Sequence, residues 1–293
     1  MSKRGKWPVK RSTRLFWQSF SLTFLALIAV FALAFGQLVQ KPALEEREKQ
    51  AQVVEANYAS GTNLLLCLRP EERSLPDAFL LVGINGTKRQ LALTVLPPCW
   101  KVSFANREDS LQQCYGYGGA MECISSLQAL TGLRIDYYAD LTDQTLAAIL
   151  DEVGELPYSV AEDIYRYDET SGLLTFKLPY GPQDLSGDKL TGYLRYTKLE
   201  GDEKETLRLN LFKAYLDRYL TAQSVAGMSQ WFARWSGQCK TNITSVACLQ
   251  LQKELTEALS GQPKTITAPQ IFYSGGRDYD PIQDGMLLKN YFR

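Results

Sequence analysis

The chain opens on a polarity pattern that nothing after it repeats. Residues 15–39, from Leu15 to Val39, hold no charged side chain, and Lys3, Arg4, Lys6, Lys10, Arg11 and Arg14 crowd the stretch before them. A helix rises about 1.5 Å per residue and needs about 20 apolar residues to cross a hydrocarbon core, so this run is long enough to span. Clustered positive charge holds a flank on the cytoplasmic side. The pattern therefore predicts a basic cytoplasmic flank over residues 1–14 and a transmembrane anchor over 15–39. The protein is expected to cross the cell membrane once, with its C-terminal domain extracellular. A cleaved signal peptide is the rival, with Ala32-Leu33-Ala34 as its cleavage site, but the apolar run continues past it through Phe35, Leu38 and Val39. Both readings export the remainder of the chain.

Residues 40–60 are charged and alanine-rich and read as a helical stalk, leaving 61–293 as a domain. Its first half alternates two periodicities. Asn63 to Leu68, Ala78 to Ile84 and Gln90 to Leu96 are short apolar runs, with Asn85-Gly86 as a hairpin signal, and predict adjacent strands. Leu111 to Leu130 reads as a helix broken near its start by Gly116, Gly118 and Gly119, followed by a strand from Leu133 to Tyr138. Thr142 caps a helix running to about Glu152, with Gly154 as its stop. Strand-like segments at Tyr158 to Val160 and Leu173 to Leu178 precede a helix from Ser186 to Tyr196. Helices then dominate, at Glu203 to Leu220, near Ser224, and from Ser245 to Leu259, and the tail from Tyr273 reads as a closing loop and short helix. Strands alternating with helices predict an α/β fold, an α/β/α sandwich with a mixed central sheet.

Composition narrows the function. The 32 basic and 32 acidic residues balance, yet six of the positives sit in the N-terminal flank, so the exported part is mildly acidic. That argues against nucleic acid as a partner, which calls for a basic face. The chain has no histidine, which removes Ser-His and Cys-His nucleophile systems. Without histidine or a CxxC pair, a structural zinc site has no ligand set. Gly116 to Gly119 lacks the Lys-Ser/Thr ending of a phosphate-binding P-loop. All six cysteines come after the apolar run, and an even number in an oxidising compartment predicts pairing. About 15 connectivities are open, of which Cys239–Cys248 is the first choice because it closes a short local loop.

Several segments then carry a resemblance in order: Asn63-Leu64-Leu65-Leu66 opening the first strand, Pro76-Asp77-Ala78 before a strand ending Gly83-Ile84-Asn85, and Tyr115-Gly116-Tyr117-Gly118-Gly119. Ile135-Asp136-Tyr137-Tyr138, Leu185-Ser186-Gly187 leading to Tyr193-Leu194-Arg195-Tyr196, and Lys240-Thr241-Asn242-Ile243-Thr244 continue it. Across nearly the whole exported region the sequence resembles the LytR-CpsA-Psr family of cell-envelope proteins. The resemblance implies transfer of a glycopolymer from a polyprenyl pyrophosphate carrier to peptidoglycan, helped by Mg²⁺. It places Asp77 at the metal and Arg195, Arg208 and Arg73 in catalysis. Arg195, Arg208 and Arg69 become the substrate-binding cations.

Departures from the family pattern bear on activity. Thr197, Glu205 and Pro98 stand where the family carries arginines, about Pro70 where it carries an early aspartate, and Ser110 where it carries a lysine. Each charge-assisted phosphate contact is worth about 1.5–3 kcal/mol, so such losses weaken a pyrophosphate clamp strongly. Two readings stand: a phosphotransferase whose cluster is refilled by Arg69, Arg73, Lys101 or Arg107, or a catalytically degenerate protein of the same fold that binds lipid, wall polymer or an envelope partner.

Overall fold

Alternation along the first strands sets the layers. The computed structural model describes residues 61–260, 266–271 and 281–292, all within the unit Asn57–Arg293. Strand β1 (Thr62–Arg69) points Leu65 and Cys67 to one face, while Leu66 and Leu68 pack on the other. Strand β2 (Ala78–Asn85) divides Phe79 and Leu81 from Leu80 and Ile84, and β3 (Gln90–Leu96) divides Ala92 and Leu96 from Leu91, Leu93 and Val95. Both faces are apolar because both are covered by helices, which is why the central strands read as nearly continuous hydrophobic runs.

The main sheet has six strands in the order β11-β6-β1-β2-β3-β12. The pairs β1–β2 and β2–β3 are antiparallel, whereas β1 runs parallel to β6 (Tyr137–Thr142) with Leu64 opposite Tyr137 and Arg69 opposite Thr142. Two-residue strands β11 (Lys240–Thr241) and β12 (Ile266–Thr267) close the edges. Beside the main sheet lie three antiparallel pairs: β4 (Lys101–Phe104) with β5 (Arg107–Ser110), β7 (Leu156–Val160) with β10 (Gly181–Leu185), and β8 (Ile164–Tyr167) with β9 (Leu174–Leu178).

One face carries α1 (Leu111–Thr131), whose Ser110 cap accepts from Gln113 N. The helix kinks at Gly118 and Gly119, and Gly119 sits at φ +69°, a conformation glycine adopts without a Cβ penalty. Leu288 from α8 (Pro281–Tyr291) joins the same core. The opposite face carries α2 (Asp143–Val153), α3 (Gly187–Tyr196), α4 (Gly201–Tyr219) and α7 (Ser245–Ala258), with the short α5 (Ala222–Ala226) and α6 (Met228–Trp235) joined at Gly227. The sandwich with a mixed central sheet is therefore as expected. The expected anchor (15–39) and stalk (40–60) lie outside the described residues, and no helix among those described is long and apolar enough to cross a membrane.

Two expectations change. The strand expected at Leu133 to Tyr138 begins at Tyr137: Leu133 and Ile135 are buried as an extended lead-in, held by Asp136 N donating to Asn63 O at 2.9 Å and Ile135 N to Gln128 Oε1 at 2.9 Å. The Cys239–Cys248 pairing is not formed, and none of the six cysteines is in a disulfide. Cys248 faces the core from α7 and directs its thiol to Met228 O, while Cys239 donates back to Trp235 O, so local helix-end contacts claim both.

A buried ion pair ties α1 to the sheet edge. Arg69 Nε donates to Asp140 Oδ1 at 2.5 Å, with both side chains 3% exposed, and the Tyr115 hydroxyl donates to Asp140 Oδ2. Arg69 Nη1 donates to the carbonyls of Glu71 and Glu72, and Nη2 meets the Glu72 carboxylate at 3.5 Å. Removing one member of a buried pair strands the other charge and costs about 3–5 kcal/mol. Arg69→Ala is expected to lower stability by about that amount, read from urea unfolding midpoints, and a change within about 0.5 kcal/mol, typical of a surface site, would refute the structural role. Gly187 makes a second close contact: its N–H donates to Asp151 Oδ1 at 2.6 Å, and a Cβ there would lie 2.0 Å from Ala147 O. Overpacking of this kind costs about 1–3 kcal/mol. Gly187→Ala should therefore lower the thermal midpoint, and an unchanged midpoint would show that α2 and α3 are not in contact as described.

Candidate functional site

Four chain segments meet at the carboxyl ends of the parallel strands β1 and β6, where ligands of open α/β sheets bind. Asp77 is placed there by its own backbone, since Asp77 N donates to Leu68 O at 3.1 Å just before β2 begins. Asp143 occupies the first turn of α2, directly after the capping Thr142 that ends β6. Arg195 lies in the last turn of α3, and Arg208 points in from the middle of α4.

These side chains form one ionic cluster. Arg195 reaches Asp77 through Nη1, and grips Asp143 bidentately, Nε to Oδ2 at 3.0 Å and Nη2 to Oδ1 at 2.6 Å. Arg208 is 3% exposed and donates through Nη1 to Asp77 O at 2.8 Å and to Glu205 Oε1 at 2.8 Å. Its Nη2 meets Asp77 Oδ2 at 3.2 Å. Both guanidiniums thus converge on one carboxylate. Two polar atoms of the cluster, Arg208 Nε and Glu205 Oε2, are buried without a hydrogen-bond partner. A buried donor left unpaired costs about 1–3 kcal/mol, so its presence asks for an acceptor.

Burial shapes the protonation states. It pushes the Asp143 carboxyl up to about 7, against the pull of the Arg208 charge. Glu205 is raised by burial as well, with Arg208 opposing. Arg195 is lowered to about 10 by burial and by the charge of Arg208, and stays a cation at neutral pH. Lys204, half-buried on α4, is lowered by burial and then by Arg208, with Arg195 contributing too, which places a third cation within electrostatic reach. With all groups ionised, Arg195, Arg208 and Lys204 balance Asp77, Asp143 and Glu205. Protonating Asp143 tips the cluster positive.

The cluster stands at a narrow cleft of about 10 Å³, room for about one water, whose apolar lining is Leu68, Ala78, Leu146, Leu194 and Phe212. That is far below the range of about 300–1,000 Å³ common for small-molecule pockets, so a ligand must part the ion pairs and open the cleft to enter. Of the residues expected at the site, Asp77, Arg195 and Arg208 are brought together. Arg69 is engaged by Asp140 and the Glu71 and Glu72 carbonyls, and Arg73 is exposed on the loop before Asp77. Asp143 and Lys204 join without having been expected. Asp143 has a legible signal, an acid directly after an N-cap at a strand end, whereas Lys204 has none. Asp77 Oδ2, the expected magnesium ligand, is held by two guanidiniums, and no group of three or more metal-ligating His, Cys, Asp or Glu side chains occurs among the described residues.

Comparison with known proteins agrees with this frame. An uncharacterised Staphylococcus aureus protein is 23% identical over 186 residues, 62% of this chain and 45% of the relative, so the chain spans less than half of that relative's length. The polyisoprenyl-teichoic acid–peptidoglycan teichoic acid transferase TagU of Bacillus cereus is 20% identical over 231 residues, 75% of this chain and 73% of TagU. Among solved structures, TagV of B. subtilis superposes with a TM-score of 0.60 at 18% identity, covering 79% of this chain and 94% of TagV. YwtF (TagT), a LytR-CPS2A-psr family protein with bound octaprenyl pyrophosphate lipid, gives 0.55 at 15% identity, covering 80% and 90%. These likenesses show a shared fold. A model of the LytR_cpsA_psr family matches residues 40–281, most of the sequence, and the chain belongs to that family.

Proposed function

We propose that this protein acts at the cell envelope on glycopolymers carried by a polyprenyl pyrophosphate, and that Arg195, Arg208 and Lys204 receive the phosphate linkage beside Asp77. The observation that carries the reading is the pair of guanidiniums converging at the mouth of an apolar cleft, with Arg208 Nε buried and lacking an acceptor. A phosphate oxygen supplies that acceptor, and the guanidinium fork matches phosphate geometry bidentately. Leu68, Leu146, Leu194 and Phe212 offer a hydrocarbon chain an apolar wall. TagT with its octaprenyl pyrophosphate and TagU as a teichoic acid transferase support the same ligand chemistry. Under this reading residues 15–39 anchor the domain outside the cell membrane, beside the leaflet that presents such carriers, and peptidoglycan is the acceptor.

Ligand entry exchanges partners. Phosphate oxygens displace Asp77 and Asp143 from the guanidiniums, and Asp77 is left as a carboxylate next to the linkage. A second reading, binding without transfer, is favoured by Thr197, Glu205 and Pro98 standing where the family carries arginines. It keeps the phosphate contact and drops turnover.

Titration of the full chain with a polyprenyl pyrophosphate in detergent micelles is expected to show binding. Arg195→Ala and Arg208→Ala should each weaken it by about 10- to 150-fold, the equivalent of about 1.5–3 kcal/mol for a charge-assisted contact. Absence of binding by the unaltered chain would overturn the proposal, and formation of polymer-linked peptidoglycan separates transfer from binding. The pH dependence has a definite sign. As pH falls through about 7 Asp143 takes up its proton, loosens Arg195 and removes one negative charge. Affinity for a polyprenyl phosphodiester, whose own charge is constant in this range, should rise between pH 8 and pH 6, and Asp143→Asn should flatten the profile. A flat profile in the unaltered chain would contradict the assignment.

A further inference from the structure

Across the sheet from the ionic cluster, α1 buries two thiols that the functional reading leaves unused. Cys114 and Cys123 stand on either side of the Gly118–Gly119 kink, and both are completely buried. In an unbroken helix nine residues would separate them by about 13 Å along the axis, at about 1.5 Å per residue. The kink removes that separation. Cys123 Sγ donates to Leu111 O at 3.6 Å, one turn before Cys114, and Cys114 Sγ lies 3.4 Å from Ser126 Oγ, one turn after Cys123. Each cysteine therefore packs against the turn next to its counterpart.

We propose that Cys114 and Cys123 form a disulfide when the chain folds in an oxidising compartment, and that the bond locks the kink of α1. The geometry already supplies proximity, and the glycines at the kink supply the freedom to close the remaining gap. Cys114 thiolate attacks a donor disulfide and expels one donor thiol. Cys123, deprotonated, then attacks Cys114 Sγ and expels the second. Two S–H bonds are lost and one S–S bond forms, and the two electrons and two protons end on the two donor thiols. Because both sulfurs are buried in the folded domain, exchange takes place during folding, before α1 docks on the sheet.

The bond would stiffen more than the helix. Cys114 precedes Tyr115, whose hydroxyl holds Asp140 and through it the buried Arg69. The inference rests on the exported placement proposed above only for its cellular oxidant. The experiment supplies the oxidant, so the two fail separately.

The full chain, purified in detergent, is unfolded, reduced and refolded with oxidised glutathione, then denatured and alkylated. Of the six cysteines, two should resist alkylation, with a mass deficit of two hydrogens and a reducible peptide joining positions 114 and 123. The oxidised protein should melt above the reduced one, and the C114S/C123S variant should show no such difference. All six thiols alkylated, a bond to Cys67 or between Cys239 and Cys248 instead, or equal melting of the oxidised and reduced forms would overturn the proposal. The thiol map of the unaltered chain decides the pairing even where the double variant fails to fold.

Discussion

One carboxylate holding two guanidiniums is the constraint around which this molecule is arranged. Asp77 is fixed by its backbone bond to Leu68 at the end of β1, and the two arginines come from α3 and α4, so the cluster fastens two helices to the sheet. Both arginines are more than half withdrawn from water, and bringing them together without an anion would be prohibitive. Asp77, Asp143 and Glu205 make the assembly possible. The cluster is therefore a tertiary clasp, and under the proposed function the same carboxylates that stabilise the resting fold would compete with any phosphate that arrives.

That competition gives the family departures a physical meaning. In a site with more arginines than carboxylates, phosphate would be needed to relieve cation repulsion. Here the charges already balance, and Glu205, where the resemblance implies an arginine, adds a carboxylate. Affinity then depends on what loosens the carboxylates. Asp143, raised by burial to about 7, is the group whose protonation changes the balance near neutral pH. The orphaned Arg208 Nε shows that the internal pairing is incomplete.

Much of the architecture was legible because periodicity and caps agree with the tertiary structure. The apolar runs of β1, β2 and β3, the Thr142 cap, the helix beginning near Ser186 and the α4 helix all appear where the pattern puts them, to within a few residues. The β4–β5 hairpin, β8 and β10 escaped because they are short, polar on an exposed face and stabilised by pairing with neighbours that sequence spacing does not name. Leu133 and Ile135 misled for the opposite reason: they are apolar because they are buried, not because they lie in the ladder. At the site, family likeness located Asp77, Arg195 and Arg208, but the sign of Arg69 alone could not separate a ligand contact from a buried partner of Asp140. Only the fold decides which acid a guanidinium meets. Cysteine spacing had the same defect, since Cys239–Cys248 and Cys114–Cys123 are equally close in sequence and only the α1 kink distinguishes them.

The central claim is that the clasp exchanges carboxylates for phosphate. A crystal structure of the protein with a bound polyprenyl pyrophosphate tests it most directly. The account predicts Arg195 turned from Asp143 and Arg208 from Asp77 onto phosphate oxygens, Arg208 Nε among the new donors, and the prenyl chain against Leu146, Leu194 and Phe212. A complex in which the lipid sits elsewhere while both arginines keep their present carboxylates would contradict it.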